Sequence, residues 1–467
     1  MNHQKTMVLL AATQLLLIID TSIINVIVPT IATELRFSES GQSWIANAYL
    51  IAFGGALLLS GRVADLAGRV RVFQAGLLVL VVGSAVAALA FSPLALVVGR
   101  AIQGLGAALS AAASLALILA TFRGHERERA LGMLAAMAGL GGAAGTFLGG
   151  ALTEWLGWRS TFWVNVIMGM LLLAASISIL RPLKGKSEAR AIDLSGAILL
   201  IAGQTLLAFG IVRLGETSDG QRDAVLALTG SLIALTLFFV HQRRAQAALI
   251  PNRTWKNTGL IAAAALAGTG QFVLFPMFFI ANLYLQKALG YSPFASGIAF
   301  LPLCAVVVLT SSSIGIFIRK LGLDYTMAVG FAAVAIGLGW LSAMPIGGNF
   351  WTDVLGPTLI VGVGLPIIAI TTNILGGQHA ESGEEGLTSG LLNTAQQFGS
   401  VMGLSAMLSL AAFYTSHLET QADRTAIGAL VGGYSLALML ACAIAIATAV
   451  LLAVKRERRI ASGQPDV

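Results

Sequence analysis

Charge is what this 467-residue chain has least of: Lys, Arg, Asp and Glu make up 10% of it, against 57% hydrophobic residues. A soluble domain carries about 25% charged residues. So little polar surface excludes a water-soluble globule and points to an all-α polytopic membrane protein. Cysteine is nearly absent. Cys304 and Cys442 both fall in apolar runs, which excludes a disulfide framework and suggests packing residues. Histidine is sparse too: His3, His125, His241, His379 and His417 lie in termini, loops or span ends, with no metal-ligand spacing. There is no Walker A sequence and no nucleophile–base pair, so neither an enzyme nor ATP-driven transport is expected, and no cofactor. The net charge of +7 is not a nucleic-acid signal, because the basic residues sit in short clusters between apolar runs.

Those apolar runs are what the chain does have. A membrane-crossing helix needs roughly 20 apolar residues. The pattern predicts fourteen spans, at 7–33, 44–64, 72–91, 93–120, 129–153, 160–180, 192–213, 222–241, 257–286, 293–318, 325–345, 351–376, 386–413 and 429–454. The weakest breaks are Phe91-Ser92-Pro93 and Gly347-Gly348-Asn349. The first run is too long for a signal-peptide core and is expected to be a span. With this count, 21 of the 28 Lys and Arg fall on the side of the termini and 6 on the other, leaving Arg100 within a span. That bias places both termini in the cytoplasm. Trp44, Trp155, Trp158, Trp340 and Trp351 fall at outer span ends, as an aromatic belt would. The longest cytoplasmic connections, 181–191 and 242–256, flank spans seven and eight and divide the chain six, two, six. The expected domains are an N-terminal six-helix bundle, 1–185; two extra helices with linkers, 186–250; and a C-terminal six-helix bundle, 251–467.

Asp20 is the one carboxylate placed in the interior of a membrane-length run. A charge at bilayer centre costs at least ~2.5–3.5 kcal/mol on insertion scales, and such residues mark proton or substrate paths. At about 1.5 Å rise per residue Asp20 lies roughly 20 Å below the outer end of its span, and Arg100 roughly 10 Å below the outer end of span four. Two readings stay open for Arg100: contact with Asp20, direct or through water, or bonds to backbone carbonyls that hold helices together.

Further motifs follow the chain. Gly61, Asp65, Gly68 and Arg69 form a glycine-bracketed acidic and basic turn between spans two and three, equally readable as an ordinary basic loop. Span five is glycine-dense. Gly141, Gly145 and Gly149 repeat at i, i+4, i+8, and Gly150 follows; such a face lets another helix approach closely. Span thirteen places Asn393, Gln396 and Gln397 on about one face, and span nine carries Gln271, Phe275 and Phe279. Amides beside aromatics suit an amphipathic ligand. For any single one of these residues, cross-helix bonding or a lipid-facing ring is the better reading.

The residues together resemble the major facilitator superfamily, and within it the fourteen-span drug:proton antiporter branch of multidrug and quaternary-ammonium exporters. Asp20-Thr21-Ser22-Ile23-Ile24-Asn25 with Pro29 is similar to that branch's first-span motif, followed by Trp44 and Tyr49. Gly61, Asp65, Gly68 and Arg69 match the loop motif, and Arg100, Gln103, Gly104 and Gly106 match the span-four motif linked to proton coupling. Gly145, Gly149 and Gly150 match the exporters' span-five motif; Trp158-Arg159, Phe162 and Asn165, and Ser292-Pro293, Gly297 and Pro302, also fit. The chain departs where Leu66 and Val70 stand for basic residues and where Thr146 stands for a proline, which leaves the direction of transport open.

The resemblance implies two six-helix bundles plus two additional helices, working by alternating access in a multi-pass inner membrane protein. It implies a proton-coupled efflux antiporter for small amphipathic compounds, drawing on a proton gradient, with lipid, protons and a small molecule as partners, no nucleic acid, and a monomeric state. Asp20 and Arg100 would couple protons, and Asn25, Gln103, Gln271, Phe275, Phe279, Asn393, Gln396 and Gln397 would contact substrate. A dedicated exporter of one endogenous metabolite, antibiotic or lipid, and an uptake symporter, are the alternatives.

Overall fold

The structure, a computed structural model, describes residues 3–180, 192–215, 220–245, 248–381, 385–419 and 425–461. Among them there is no strand, and 14 helices are long and apolar enough to cross a membrane, one for each predicted span. Both weak breaks are real. Ser92 caps the helix that follows it, its Oγ accepting from the Ala95 N–H at 3.2 Å, with Pro93 in the first turn where a missing N–H costs nothing. Gly347 turns at φ +70°, and the Asn349 side chain accepts from the Trp351 N–H at 2.9 Å to start a π-helical turn, Phe350–Leu355.

Two compact units are present. The first comprises Met1–Phe209, Leu226–Lys256 and Pro293–Gly297; the second comprises Gly210–Val225, Asn257–Ser292 and Ile298–Val467. The first is built on α1 (His3–Leu35), α2 (Trp44–Ala67), α3 (Arg69–Ala88), α4 (Pro93–Thr121), α5 (His125–Leu156) and α6 (Arg159–Ile179). It also holds most of α7 (Leu194–Leu214) and α8 (Gln221–Arg244), and the short α9 (Asn252–Lys256). The second is built on α10 (Thr258–Leu283), α12 (Leu301–Leu321), α13 (Leu323–Ser342), α14 (Gly356–Gln378), α15 (Glu385–Glu419) and α16 (Ala426–Ala461); α11 (Pro293–Ala299) belongs mostly to the first unit.

The same pairing recurs in each unit. In the first, α4 packs on α2 and α3, α5 on α1, and α6 on α3; in the second, α14 packs on α12 and α13, α15 on α10, and α16 on α13. The units are thus two copies of one six-helix plan, the internal repeat common among transporters. Small residues set the same contact in both. A Cβ on Gly145 would lie 2.6 Å from the Ser22 Cβ of α1, and one on Gly399 or Gly403 of α15 would strike the Gly268 or Phe272 carbonyl of α10.

Several details differ from the sequence reading. The tenth span is broken at Phe300, between α11 and α12. Pro302 falls in the first turn of α12, where its missing N–H leaves no helical bond unmade. Trp158 is not a belt residue: it is buried, its Nε1–H donating to Glu34 Oε2 at 2.7 Å. An indole N–H hidden from water needs such an acceptor. Trp155, Trp340 and Trp351 are exposed as a belt requires. The connection 242–256 begins inside α8 and holds α9. The basic connection 181–191, and with it the expected domain boundary at 185/186, lies outside the described residues.

The extra pair has its own fastening. Ser231 Oγ on α8 donates to the Gly203 carbonyl on α7 at 2.9 Å, and α7 meets α2 where Trp44 and Phe209 lie 6.4 Å apart. At the base of the pair, Asp193 accepts from the Gly196 N–H (2.8 Å) and Gln242 Nε2 (2.6 Å) and pairs with His241 Nε2 (2.7 Å). Burial alone would push this carboxyl up, but the bonds from Gly196, His241 and Gln242 outweigh it and hold it below the usual carboxylate range.

Candidate functional site

Close backbone approaches bring the polar residues of the first unit together. A Cβ on Gly83 of α3 would strike the Gln103 backbone of α4, and one on Gly104 would strike the Tyr49 carbonyl of α2. With no side chains in the way, α4 lies deep between α2 and α3 and carries Arg100 and Gln103 inward. From the other side, the glycine face of α5 presses on α1. Gly141 meets Ile18, Gly145 meets Ile19 and Ser22, and Gly149 meets Ile23, so the contact straddles Asp20. Gly150 faces away, against Pro293 and Phe294.

The result is a buried carboxylate enclosed by donors. Arg100 Nη1 donates to Asp20 Oδ2 at 3.0 Å and Oδ1 at 3.3 Å, Gln103 Nε2 donates to Oδ1 at 2.8 Å, and Asn165 Nδ2 of α6 donates to Oδ1 as well. Asp20, Arg100, Gln103 and Asn165 are all buried. Both readings of Arg100 hold at once. Besides Asp20 it binds the Ile45 carbonyl through Nε (3.1 Å) and Gln103 Oε1 through Nη1 (2.7 Å). Its guanidinium also lies 4.5 Å from the Tyr49 ring centroid. Gln103 is tied further to Ser84 Oγ at 2.9 Å, which donates to the Leu80 carbonyl at 2.7 Å. A buried ion pair is tolerated when added hydrogen bonds satisfy its remaining groups, as here. The arrangement can hold a proton at Asp20 away from water, with Arg100 supplying the countercharge when it leaves.

Sequence reasoning brought Asp20 and Arg100 within reach of one another and missed how many partners they share. Tyr49 and Asn165 carried a family signal but no site role, and Ser84 carried no signal, being one serine among many small residues. Gln103, expected to face substrate, is instead wholly enclosed with both ends of its amide engaged in the Asp20 cluster. Asn25 lies on α1 five residues from Asp20 and is half-buried. In the second unit Gln271 and Phe275 on α10, and Asn393, Gln396 and Gln397 on α15, are half-buried on helices that pack together, whereas Phe279 is fully buried. Asp65 and Arg69 pair with each other across Gly68 (φ +98°) at 3.1 Å, and Gly61 has open space at its Cα.

The Major Facilitator Superfamily model matches residues 10–404. This chain belongs to that superfamily. The match runs from α1 into α15 and takes in the whole Asp20 cluster. As a superfamily member the chain is a multi-pass membrane transporter, and its curated relatives narrow the comparison. It is 35% identical over 422 residues to the cephamycin export protein CmcT of Amycolatopsis lactamdurans, covering 88% of this chain and 85% of the relative. It is 31% identical over 454 residues to the puromycin resistance protein pur8 of Streptomyces alboniger, covering 95% and 90%. Among solved structures it resembles an auto-inhibited peptide transporter of the POT family, with a TM-score of 0.71 over 97% of each chain at 14% identity; that likeness concerns the fold.

Proposed function

We propose that this superfamily member is a proton-driven exporter of small, largely apolar compounds from the cytoplasm or inner leaflet. The observation that carries the reading is the Asp20 cluster: an ionisable acid far from any helix end, held by Arg100, Gln103 and Asn165. Asp20 takes a proton from the outer side, and its protonation state couples to substrate binding as the bundles at 1–185 and 251–467 alternate, with the pair in 186–250 peripheral. The relatives' names, one for export and one for resistance, support the outward direction. Thr146 stands where the family pattern has proline; its Oγ1 donates to the Ala143 carbonyl at 3.0 Å, and such back-bonding often bends a helix.

Within this reading the glycines Gly141, Gly145 and Gly149 let α5 and the Asp20 helix move as one body, while Gly61, Asp65, Gly68 and Arg69 form a cytoplasmic latch. Asn25, Gln271, Phe275, Asn393, Gln396 and Gln397 contact substrate. The protein works as a monomer in the inner membrane, both termini cytoplasmic. The test is Asp20→Asn in sealed vesicles under an imposed proton gradient. Efflux falls to background while the folded protein remains; surviving gradient-driven efflux sinks the coupling role.

A second reading is favoured by the naming of both relatives after a single antibiotic. It makes the chain the exporter of one compound with the same Asp20 chemistry.

A further inference from the structure

Two amides grip Asp20, and they are held differently. Gln103 is fixed at both ends: Nε2 donates to Asp20 and to Ser84, and Oε1 accepts from Arg100 at 2.7 Å. Asn165 is fixed at one end. Its Nδ2 donates to Asp20, while its Oδ1, sealed from solvent on a residue 2% exposed, has no hydrogen-bond partner among the described residues. A buried acceptor left unpaired costs about 1–3 kcal/mol, so such an atom calls for an explanation.

The chemistry of the carboxyl supplies one. An ionised carboxylate is an acceptor at both oxygens, whereas a protonated one adds an O–H donor. Among the described residues each hydrogen-bond partner of the Asp20 carboxyl is a donor: Arg100, Gln103 and the Nδ2 of Asn165. The acid proton therefore lacks an acceptor in this arrangement. Reversing the Gln103 amide would break its bonds to Arg100 and Ser84. Reversing the Asn165 amide breaks its bond to Asp20 and turns the unpaired Oδ1 toward the place where the new O–H arrives. The charged and titratable groups facing this point are Arg100 from α4 and Tyr49 from α2, whose ring lies beneath the guanidinium; α5 presents Gly145 to α1, and α6 presents Asn165.

We propose that Asn165 is a positioning residue that reads the protonation state of Asp20, its side-chain amide donating to the carboxylate and turning over to accept from the carboxylic acid. The proton goes from solvent to a carboxyl oxygen of Asp20; no other bond is made or broken except hydrogen bonds. Because Asn165 sits on α6, which packs on both α1 and α3, its reversal carries the change from the acid to a second helix. The inference rests on the reading of Asp20 as the proton-carrying group.

The test is acid-minus-base infrared difference spectroscopy on the full chain in lipid, with and without 13C-labelled asparagine. The expected result is a protonated-carboxyl band that Asp20→Asn removes. It is accompanied by an amide carbonyl band that shifts on labelling and is lost in Asp20→Asn and in Asn165→Leu. An Asp20-dependent carboxyl band without a label-sensitive amide band, or with one that survives Asn165→Leu, overturns the inference and leaves the coupling role of Asp20 standing. If no Asp20-dependent carboxyl band appears at any pH, the coupling role falls and the inference with it. Transport supplies a second measurement. Asn165→Thr keeps a hydroxyl that can rotate between donor and acceptor, and retains gradient-driven efflux; Asn165→Leu, of similar size with neither, loses about tenfold, the scale of one hydrogen bond to a charged group. Equal losses in both variants overturn the inference.

Discussion

At the scale of single residues, the Asp20–Arg100 pair shows how a membrane helix keeps a charge. Neither group is stable there by itself, and each is the other's main compensation. Removing Arg100 alone, as Arg100→Met, leaves the carboxylate buried with its amide donors only. The expected cost is about 3–5 kcal/mol, the penalty for orphaning one member of a buried pair. Adding Asp20→Asn to Arg100→Met should recover part of that stability while leaving efflux dead. Thermal unfolding in detergent checks both, and a double variant no more stable than Arg100→Met would show that the pair does not act as a unit. The sequence made this pair visible because an acid and an arginine in apolar helices stand out. It left Ser84 invisible, since a serine becomes a partner only when Gly83 has brought Gln103 against it.

At the scale of helices, the glycines of α5 differ in what they face, a difference the i, i+4, i+8 spacing only partly separates; Gly150 meets Pro293 and Phe294. Gly141, Gly145 and Gly149 touch α1, while Gly139 and Gly142 face open space. Gly145→Ala would force a Cβ to within 2.6 Å of the Ser22 Cβ and 2.9 Å of the Ile19 carbonyl, backbone that cannot give way cheaply. It should lower stability by about 1–3 kcal/mol, the usual cost of overpacking. Gly142→Ala meets nothing and should raise it by up to about 1 kcal/mol through helix propensity. Paired melting curves decide; equal effects of both would mean α5 does not rest on α1 by that face.

The α7–α8 clasp makes a pH prediction. The folded carboxyl of Asp193 titrates below its unfolded range, so its contribution is present above that range and is lost as pH falls through the folded value. The melting temperature should therefore drop in acid more steeply for the wild type than for Asp193→Asn. At neutral pH that variant should be less stable, by about 1–3 kcal/mol for the weakened bonds to Gly196, His241 and Gln242. Parallel acid profiles would refute the clasp. Spacing could not announce this cluster, because Asp193 and His241 lie 48 residues apart.

At the scale of the whole molecule, the repeated pairing in the two units explains why one span count describes the chain so well: each unit must hide its backbone polar groups in helices and its few charges at helix ends. Asp223, Asp324 and Asp353 lie in first turns, and Glu34 at the end of α1, so among the described residues Asp20 keeps its solitude deep in a membrane-length helix. One interior acid suits neutral or singly charged cargo over dications. A resistance panel in a cell lacking its own exporters is expected to show protection against such compounds and none against dications. Protection against several unrelated members favours the broad exporter, and protection against one antibiotic the dedicated one.

Composition, run length and charge bias determined that this protein is all-helical, crosses the membrane fourteen times and carries one acid at depth, because the bilayer penalises every alternative. Tertiary structure decided what surrounds that acid. Which side chains meet at Asp20 depends on how closely α4 lies between α2 and α3, and α5 against α1. Those approaches are set by single glycines facing a neighbour, a property of helix rotation that spacing constrains but contact fixes. The same contacts turned Gln103 from an expected substrate residue into part of the acid's enclosure and placed Asn165, with its unpaired oxygen, beside it.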